Sequence, residues 1–137
     1  MCSLLLRKSC SHGGRSASTE FYHIATDEAD QLTLLRVVIE TGRTHQIRVH
    51  LKHLRAPILG DDVYGYELFN KKFKRSVTRP LLHAYQLKVE HPITGQPLSL
   101  EAPIPSDFLR VIDNQICPDF AQRQEELLFR AEQYNKD

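Results

Sequence analysis

Residues 40–54, ETGRTHQIRVHLKHL, concentrate the side chains in this sequence that could do chemistry. The stretch holds three histidines, two arginines and one lysine, and no acidic residue follows its opening glutamate. Imidazole and cationic groups crowded in this way indicate a solvated basic helix face, a metal site, or a surface that binds phosphate groups. The spacing of the residues discriminates among these three interpretations.

The histidines do not have the spacing of a zinc site. His45, His50 and His53 follow one another at intervals of five and three residues, whereas HExxH places two histidines four residues apart on one helix face. No cysteine or carboxylate lies at ligand distance in the sequence. We therefore predict no metal, and we interpret His50 and His53 as packing or hydrogen-bonded residues.

The distribution of charge favours a phosphate-binding face. Nine of the 18 Lys and Arg residues lie in two acid-free segments, 43–55 and 71–79. Residues 1–100 carry 14 basic and nine acidic side chains, whereas residues 101–137 carry four and eight. A basic body with an acidic tail is compatible with a polyanionic partner, although solvated surfaces show the same split.

The basic stretch changes to helical spacing after Thr44, an N-cap candidate, and Pro57 ends the pattern. Its apolar stripe consists of Ile47, Leu51 and Leu54. A neighbouring stripe consists of His45, Arg48, Lys52 and Arg55, so the cations share one helix face. The loop that follows contains Gly60 and Gly65, which can adopt positive φ.

The elements that must position this helix are mostly β-strands. Segments 19–25 and 32–40 are rich in β-branched and aromatic residues and flank the polar stretch TDEADQ, which predicts a hairpin. A second hairpin is predicted over 82–90 and 97–102, and helical patterns follow, the last from Asp119. The sequence thus predicts an α+β fold, a mixed, largely antiparallel sheet with packed helices.

Composition limits the class of protein and its compartment. The chain has 137 residues, 41% of them hydrophobic, and no apolar run approaches the ~20 residues that cross a bilayer, so we predict no membrane partner. Three cysteines without CxxC spacing indicate a reducing, intracellular compartment. The first 19 residues are basic, serine-rich and acid-free like a transit peptide, which leaves both cytoplasm and organelle open.

The block ETGRTHQIRVHLKHLRAPILGDDVYG, residues 40–65, resembles the signature of the RluA-type RNA pseudouridine synthases, which carry TGRxHQ(I/L)RVH followed by PIxGDxxYG. Two further segments match in the same order, GRSASTEF at 14–21 and RPLLHAYQLKVEHPITG at 79–95. The resemblance covers residues 14–105.

The resemblance implies a domain organisation and an activity. Residues 14–105 would form the C-terminal half of a pseudouridine synthase catalytic domain, after a disordered N-terminus at 1–13 and before C-terminal helices at 106–137. The implied reaction is the isomerisation of uridine to pseudouridine in RNA, without metal or other cofactor. A tRNA or an rRNA is the implied partner.

The resemblance also implies roles for single residues. Arg48 would pair with the catalytic aspartate, and Leu82 would pack in the active-site pocket. The residues expected to contact RNA are Arg43, His45, Lys52 and Arg55. The residues expected to shape turns are Gly42, Gly60, Asp61 and Gly65, of which Asp61 would satisfy backbone donors of its loop.

The sequence departs from the family pattern at the catalytic aspartate, which lies in an HRLD motif well before the GRTHQIR block. None of the eight aspartates here follows an RL dipeptide. We therefore expect Arg48 to lack a counter-ion, the chain alone to make no pseudouridine, and a missing N-terminal half to be a partner. A catalytically silent RNA-binding module is the alternative. A local acid that holds Arg48 away from a nucleoside pocket would contradict the enzyme interpretation.

Overall fold

The computed structural model describes residues 7–10, 17–29, 31–40 and 42–134. Two antiparallel sheets, one of three strands and one of two, accompany a series of short helices. The predicted α+β class is therefore confirmed. The expected mixed sheet is not observed in the described residues, because each strand pair there is antiparallel. Within the described residues, no helix is both long and apolar enough to span a membrane.

The three-stranded sheet carries the first predicted hairpin. Its strands are β1 (Arg7–Cys10), β2 (Ala17–Thr26) and β3 (Thr33–Ile39), in the spatial order β1–β2–β3. β1 falls within the segment 1–13 that was expected to be disordered, and the rest of that segment lies outside the described residues. The antiparallel pairing of β2 with β3 confirms the hairpin.

β3 is covered on both faces, which accounts for its apolar residues at successive positions. Leu34 packs into a buried cluster with residues of the C-terminal helices, whereas Leu35 and Val37 pack against a second cluster around Leu51 of the first helix. The β2–β3 register shifts between His23 and Ala25, opposite Leu35 and Leu34. A bulge of this kind re-aims side chains locally.

The first helix, α1 (Gln46–His53), confirms the predicted apolar stripe but not the predicted start. Leu51 is buried, and the other two stripe residues pack beside it. The N-cap prediction for Thr44 is wrong, because His45 precedes the helix in the left-handed conformation (φ 52°) and no side chain caps the end. The Gln46 side chain instead accepts a hydrogen bond from the Arg43 backbone N–H at 3.1 Å.

Gln46 also fastens α1 to β2. It is buried, and its amide donates to the Ser18 carbonyl oxygen and to the Thr19 hydroxyl, both at 2.9 Å. One turn later, His50 Nδ1 lies 2.6 Å from the same Thr19 hydroxyl, while His53 is exposed. Thr19 itself is fully buried, so this small network satisfies polar groups that have no access to water.

The end of α1 is a Schellman arrangement built on an arginine. The Ala56 N–H donates to the Leu51 carbonyl and the Arg55 N–H to the Lys52 carbonyl, both at 2.9 Å. Arg55 takes the left-handed position (φ 60°), where glycine is the usual residue. The cationic stripe therefore loses its last member, because Arg55 no longer continues the helix.

The sequence did not predict the next element, α2 (Glu67–Lys71). The others follow the predicted order and are β4 (Gln86–Glu90), β5 (Pro97–Glu101), α3 (Ser106–Val111) and α4 (Gln124–Tyr134). β4 and β5 pair antiparallel, which confirms the second hairpin. The last helix does not begin at Asp119, which is left-handed (φ 67°) and precedes a short 3-10 turn.

We predict that a glycine substitution has opposite effects on stability at Arg55 and at Lys52, near the C-terminal end of α1. Arg55→Gly should raise the free energy of unfolding by about 1 kcal/mol, because it relieves the cost of a left-handed non-glycine residue. Lys52→Gly, three residues earlier, should lower it by about 1 kcal/mol, because glycine is unfavourable inside a helix. Urea unfolding measures both, and a loss of stability in both variants would contradict the assigned conformation of Arg55.

Candidate functional site

The Arg48 side chain forms a two-point ion pair with Asp61. Arg48 Nε donates to Asp61 Oδ2 at 2.7 Å, and Arg48 Nη2 donates to Asp61 Oδ1 at 2.8 Å. Asp61 is fully buried, whereas 17% of the Arg48 side chain is exposed. Parallel charge-assisted hydrogen bonds of this kind fix both the distance and the plane of the guanidinium group.

The loop around Asp61 holds its carboxylate from the other side. Asp61 Oδ1 also accepts the backbone N–H groups of Val63 and Tyr64, both at 3.0 Å. The Arg48 hydrogen bonds lower the pKa of Asp61 well below its usual range, and the two backbone donors lower it further, which outweighs the opposing effect of burial. The same pairing raises the pKa of Arg48.

The expectation that Arg48 lacks a counter-ion is therefore wrong. Sequence reasoning assigned Asp61 to its loop, and it does accept two backbone donors there. The loop, however, also brings the carboxylate onto α1, 13 residues from Arg48 in the sequence. A buried carboxylate is stable only when a positive group pairs with it, and for Asp61 that group is the Arg48 guanidinium.

Tyr64 brings three of the predicted cationic residues around one ring. The Arg48 guanidinium carbon lies 5.0 Å from the ring centroid and Lys52 Nζ lies 5.9 Å from it, both within cation–π range. His45 packs edge-on against the ring and its Nδ1 lies 3.1 Å from the Tyr64 hydroxyl oxygen. Arg48 and Lys52 of α1, with His45 just before the helix, therefore form a cluster around a ring that the following loop supplies.

The other predicted site residues lie elsewhere. Arg43 is exposed just before α1. Arg55 and Leu82 line an apolar cavity of about 520 Å³ between β3, α1 and α3, and 38% of Leu82 is exposed. Arg48 does not line this cavity. The structure therefore does not bring Leu82 and Arg48 together around this cavity.

Two glycines allow the loop to close on Asp61. Gly60 has positive φ (84°), and a Cβ there would collide with the Arg79 carbonyl oxygen. A Cβ at Gly65 would collide with the Asp61 carbonyl oxygen, which accepts the Gly65 N–H at 3.0 Å. At Gly42, by contrast, a Cβ would meet nothing within 4 Å.

Sequence reasoning assigned no role to Asn70, which ties α2 to the same loop. Its Oδ1 accepts the Gly60 N–H and its Nδ2 donates to the Asp61 carbonyl oxygen, both at 3.0 Å. Sequence reasoning also left Tyr64 without a role, although it lies inside the quoted motif. The sequence did contain one signal for Tyr64: it lies three residues after Asp61, close enough to belong to the same turn.

Among the described residues, no cluster of three or more His, Cys, Asp or Glu side chains could hold a metal ion.

Comparison with known proteins points to one family. Residues 2–53 match the family model described as RNA pseudouridylate synthase. The chain is 42% identical over 103 residues to the ribosomal large subunit pseudouridine synthase D of Haemophilus influenzae, covering 69% of this chain and 32% of the relative. It is 39% identical over 129 residues to the Vibrio cholerae protein of the same name, covering 88% and 37%.

A third relative is the RNA pseudouridine synthase YhcT of Bacillus subtilis, which is 41% identical over 102 residues, covering 74% of this chain and 32% of the relative. The chain spans about a third of the length of the relatives that it matches. The family match begins at residue 2, earlier than the resemblance at residues 14–21 indicated.

We predict that Asp61 contributes to the acid sensitivity of the fold. Because its pKa is lower in the folded chain than in the unfolded one, its stabilising effect is present above the unfolded value and is lost as pH falls below about 5. Asp61→Asn, which cannot titrate, should therefore lose less free energy of unfolding between about pH 5 and pH 2 than the wild type. Asp62→Asn, which removes the adjacent exposed carboxylate, is the control. If Asp62→Asn reduced the pH dependence of the free energy of unfolding as much as Asp61→Asn does, the assignment of this acid sensitivity to Asp61 would be contradicted.

Proposed function

We propose that this chain, which belongs to the RNA pseudouridine synthase family, contributes part of a catalytic domain that isomerises uridine to pseudouridine in RNA. Residues 14–105 would form the C-terminal half of that domain. The names of the relatives specify the ribosomal large subunit, so large-subunit ribosomal RNA is the first substrate to test.

The geometry of Arg48 carries the proposal. Asp61 occupies the Nε and Nη2 donors, whereas Nη1 makes no hydrogen bond to any residue in the described part of the chain. A guanidinium has five donors in a fixed fork, so it can hold a second carboxylate on its open edge while Asp61 keeps the first edge. The pair with Asp61 is thus compatible with a second acid beside Arg48.

The second acid would be the catalytic aspartate that the family resemblance implies. A carboxylate in a desolvated nucleotide pocket shifts toward the neutral form unless a nearby positive charge keeps it ionised. Arg48 is permanently charged and held in place, so it would keep that aspartate ionised for its action on the ribosyl unit. The chain's own contribution to the chemistry is therefore electrostatic and positional.

The cations around Tyr64 would hold the RNA backbone. His45 and Lys52 are exposed beside the Tyr64 ring, and neither has a carboxylate partner in the described residues. Arg43 and Arg55 are exposed as well and would add phosphate contacts at the two ends of α1. The family resemblance implies that Leu82 contributes an apolar wall to the nucleoside pocket, although the cavity that Leu82 lines in this chain does not include Arg48.

A second function is favoured by the Arg48–Asp61 pair itself. The Asp61 carboxylate is fully paired without another cation, and Arg48 has one carboxylate partner without another acid. Arg48 can then be a structural residue, and the chain can be an RNA-binding module without chemistry. A local acid that holds Arg48 away from a nucleoside pocket was the observation expected to contradict the enzyme interpretation. Arg48 does pair with a local acid and does not line the cavity that Leu82 lines, so the two functions need a direct test.

We predict that a hybrid synthase is active and depends on Arg48. The hybrid replaces the matching segment of the Haemophilus influenzae synthase with this chain and is assayed for pseudouridine in large-subunit ribosomal RNA. Arg48→Gln should lower kcat about 10²-fold, because it removes preorganised positive charge from the site. Arg79→Gln, which breaks an ion pair of the same geometry with Asp107, is the control and should retain activity. An active hybrid that is indifferent to Arg48→Gln would favour the RNA-binding module.

We also predict that the isolated chain binds RNA in a salt-dependent way. The logarithm of its affinity should fall linearly with the logarithm of salt concentration, and Lys52→Gln should reduce that slope by about one. Lys88→Gln, on the exposed strand β4, should leave the slope unchanged. Fluorescence anisotropy with a labelled RNA measures both slopes. Equal slopes for the two variants would remove Lys52 from the interface.

A further inference from the structure

We propose that Asp61 is a positioning residue that sets the orientation of the Arg48 guanidinium for catalysis. This inference rests on the proposed isomerase function and assigns Asp61 a role beyond its own turn. Asp61 would not touch substrate. It would act through Arg48, by fixing which edge of the guanidinium is presented to the second carboxylate.

The contacts of Asp61 make it a rigid support. Its Oδ1 accepts from Arg48, Val63 and Tyr64, its Oδ2 accepts from Arg48, and its side chain is fully buried. Its backbone carbonyl oxygen accepts from Gly65 and Asn70. A carboxylate fixed by so many bonds cannot follow the arginine, so the arginine must follow the carboxylate.

Tyr64 restrains the same guanidinium from a second direction. Its ring centroid lies 5.0 Å from the Arg48 guanidinium carbon, and its backbone N–H donates to Asp61. One loop therefore supplies both the in-plane contact and the ring contact. The ring contact therefore adds a second restraint to the plane that the two-point ion pair already fixes.

A second arginine of the chain shows what a purely structural pair looks like. Arg79 Nε and Nη2 donate to Asp107 at 2.9 and 3.0 Å, the same two-point geometry as the Arg48–Asp61 pair. The Nη1 group of Arg79, however, donates to the Pro80 carbonyl oxygen at 3.3 Å. The Nη1 group of Arg48 makes no such bond within the described residues, although Arg48 is the less exposed arginine.

This contrast carries the inference. The carbonyl oxygen of the next residue accepts from Arg79 Nη1, whereas Arg48 Nη1 is not among the buried polar atoms without a partner and therefore reaches solvent. Arg48 is held by both Asp61 and the Tyr64 ring, and its Nη1 group has no partner within the described residues. This combination suits a guanidinium that is held in position to bind an anion from another part of the protein.

Asp61→Asn separates positioning from loop structure. The asparagine Oδ1 can still accept the Val63 and Tyr64 N–H groups, whereas its amide nitrogen cannot accept from Arg48 Nε. In the hybrid synthase we expect kcat to fall about 10²-fold with KM little changed, because a displacement of about 1 Å has effects of that size. Asp107→Asn, the matched break of the Arg79 pair, should leave kcat unchanged.

A double variant tests whether Asp61 acts through Arg48. If it does, Asp61→Asn combined with Arg48→Gln should be no slower than Arg48→Gln alone. Independent, multiplying effects of the two substitutions would overturn the inference. A wild-type kcat in Asp61→Asn would overturn it as well. An inactive wild-type hybrid would instead refute the proposed function, and the positioning role would fall with it.

Nuclear magnetic resonance of the chain alone gives a readout that does not depend on activity. The Arg48 Nε–H should be protected from exchange in the wild type and lose protection in Asp61→Asn, while the Val63 and Tyr64 amides stay protected. Loss of all three would show that the substitution disrupts the loop. Asp61→Glu then decides, because it keeps the charge but moves the carboxylate by one methylene. A wild-type kcat in Asp61→Glu would overturn the positioning role.

Discussion

The burial of the Asp61 carboxylate is the constraint on which the site depends. A fully buried charge is tolerated only when it is paired and hydrogen-bonded, and Asp61 receives four donors. Two come from its own loop and two from Arg48, so the loop and α1 cannot separate without leaving a charge exposed to an apolar interior. The ion pair thus joins two elements that the sequence places 13 residues apart.

The burial of Asp61 also explains the residue types at several neighbouring positions in the loop and in α2. Gly60 and Gly65 let the loop pass close to neighbouring carbonyl oxygens, and Asn70 closes the loop from the side of α2. Gln46, two residues before Arg48, fixes the first turn of α1 to β2. With that turn held by both β2 and the Asp61 loop, Arg48 has a defined position although α1 is only eight residues long. A helix of that length is not stable by itself in water.

Periodicity predicted the elements of the fold well because it reports burial. The β2–β3 hairpin and the Leu51 stripe of α1 both follow from apolar spacing, and both are present. Helix ends were predicted poorly, since Thr44 and Asp119 have the residue types of caps but the caps did not form. At His45 the backbone is left-handed, and the buried Gln46 bond replaces the expected cap. Propensity is a weak guide where a tertiary contact decides the conformation.

The Arg48–Asp61 pair was missed for the same reason, because an ion pair is a tertiary contact. The sequence showed a cation and a loop aspartate, but nothing in their spacing specified that one would meet the other.

The second hairpin, β4–β5, exposes apolar side chains that the chain itself does not bury. Four apolar side chains form cross-strand pairs on one face of β4 and β5, and all four are exposed: Leu87, Leu100, Val89 and Leu98. An isolated two-stranded sheet is marginally stable in water, and clustered exposed apolar residues of this kind are typical of a surface that packs against something else. The polar network around Asp61, by contrast, is complete within the described residues. This difference supports the proposal that the chain is one part of a larger catalytic domain, because Asp61 is fully paired within the chain while an apolar face of the second sheet is exposed.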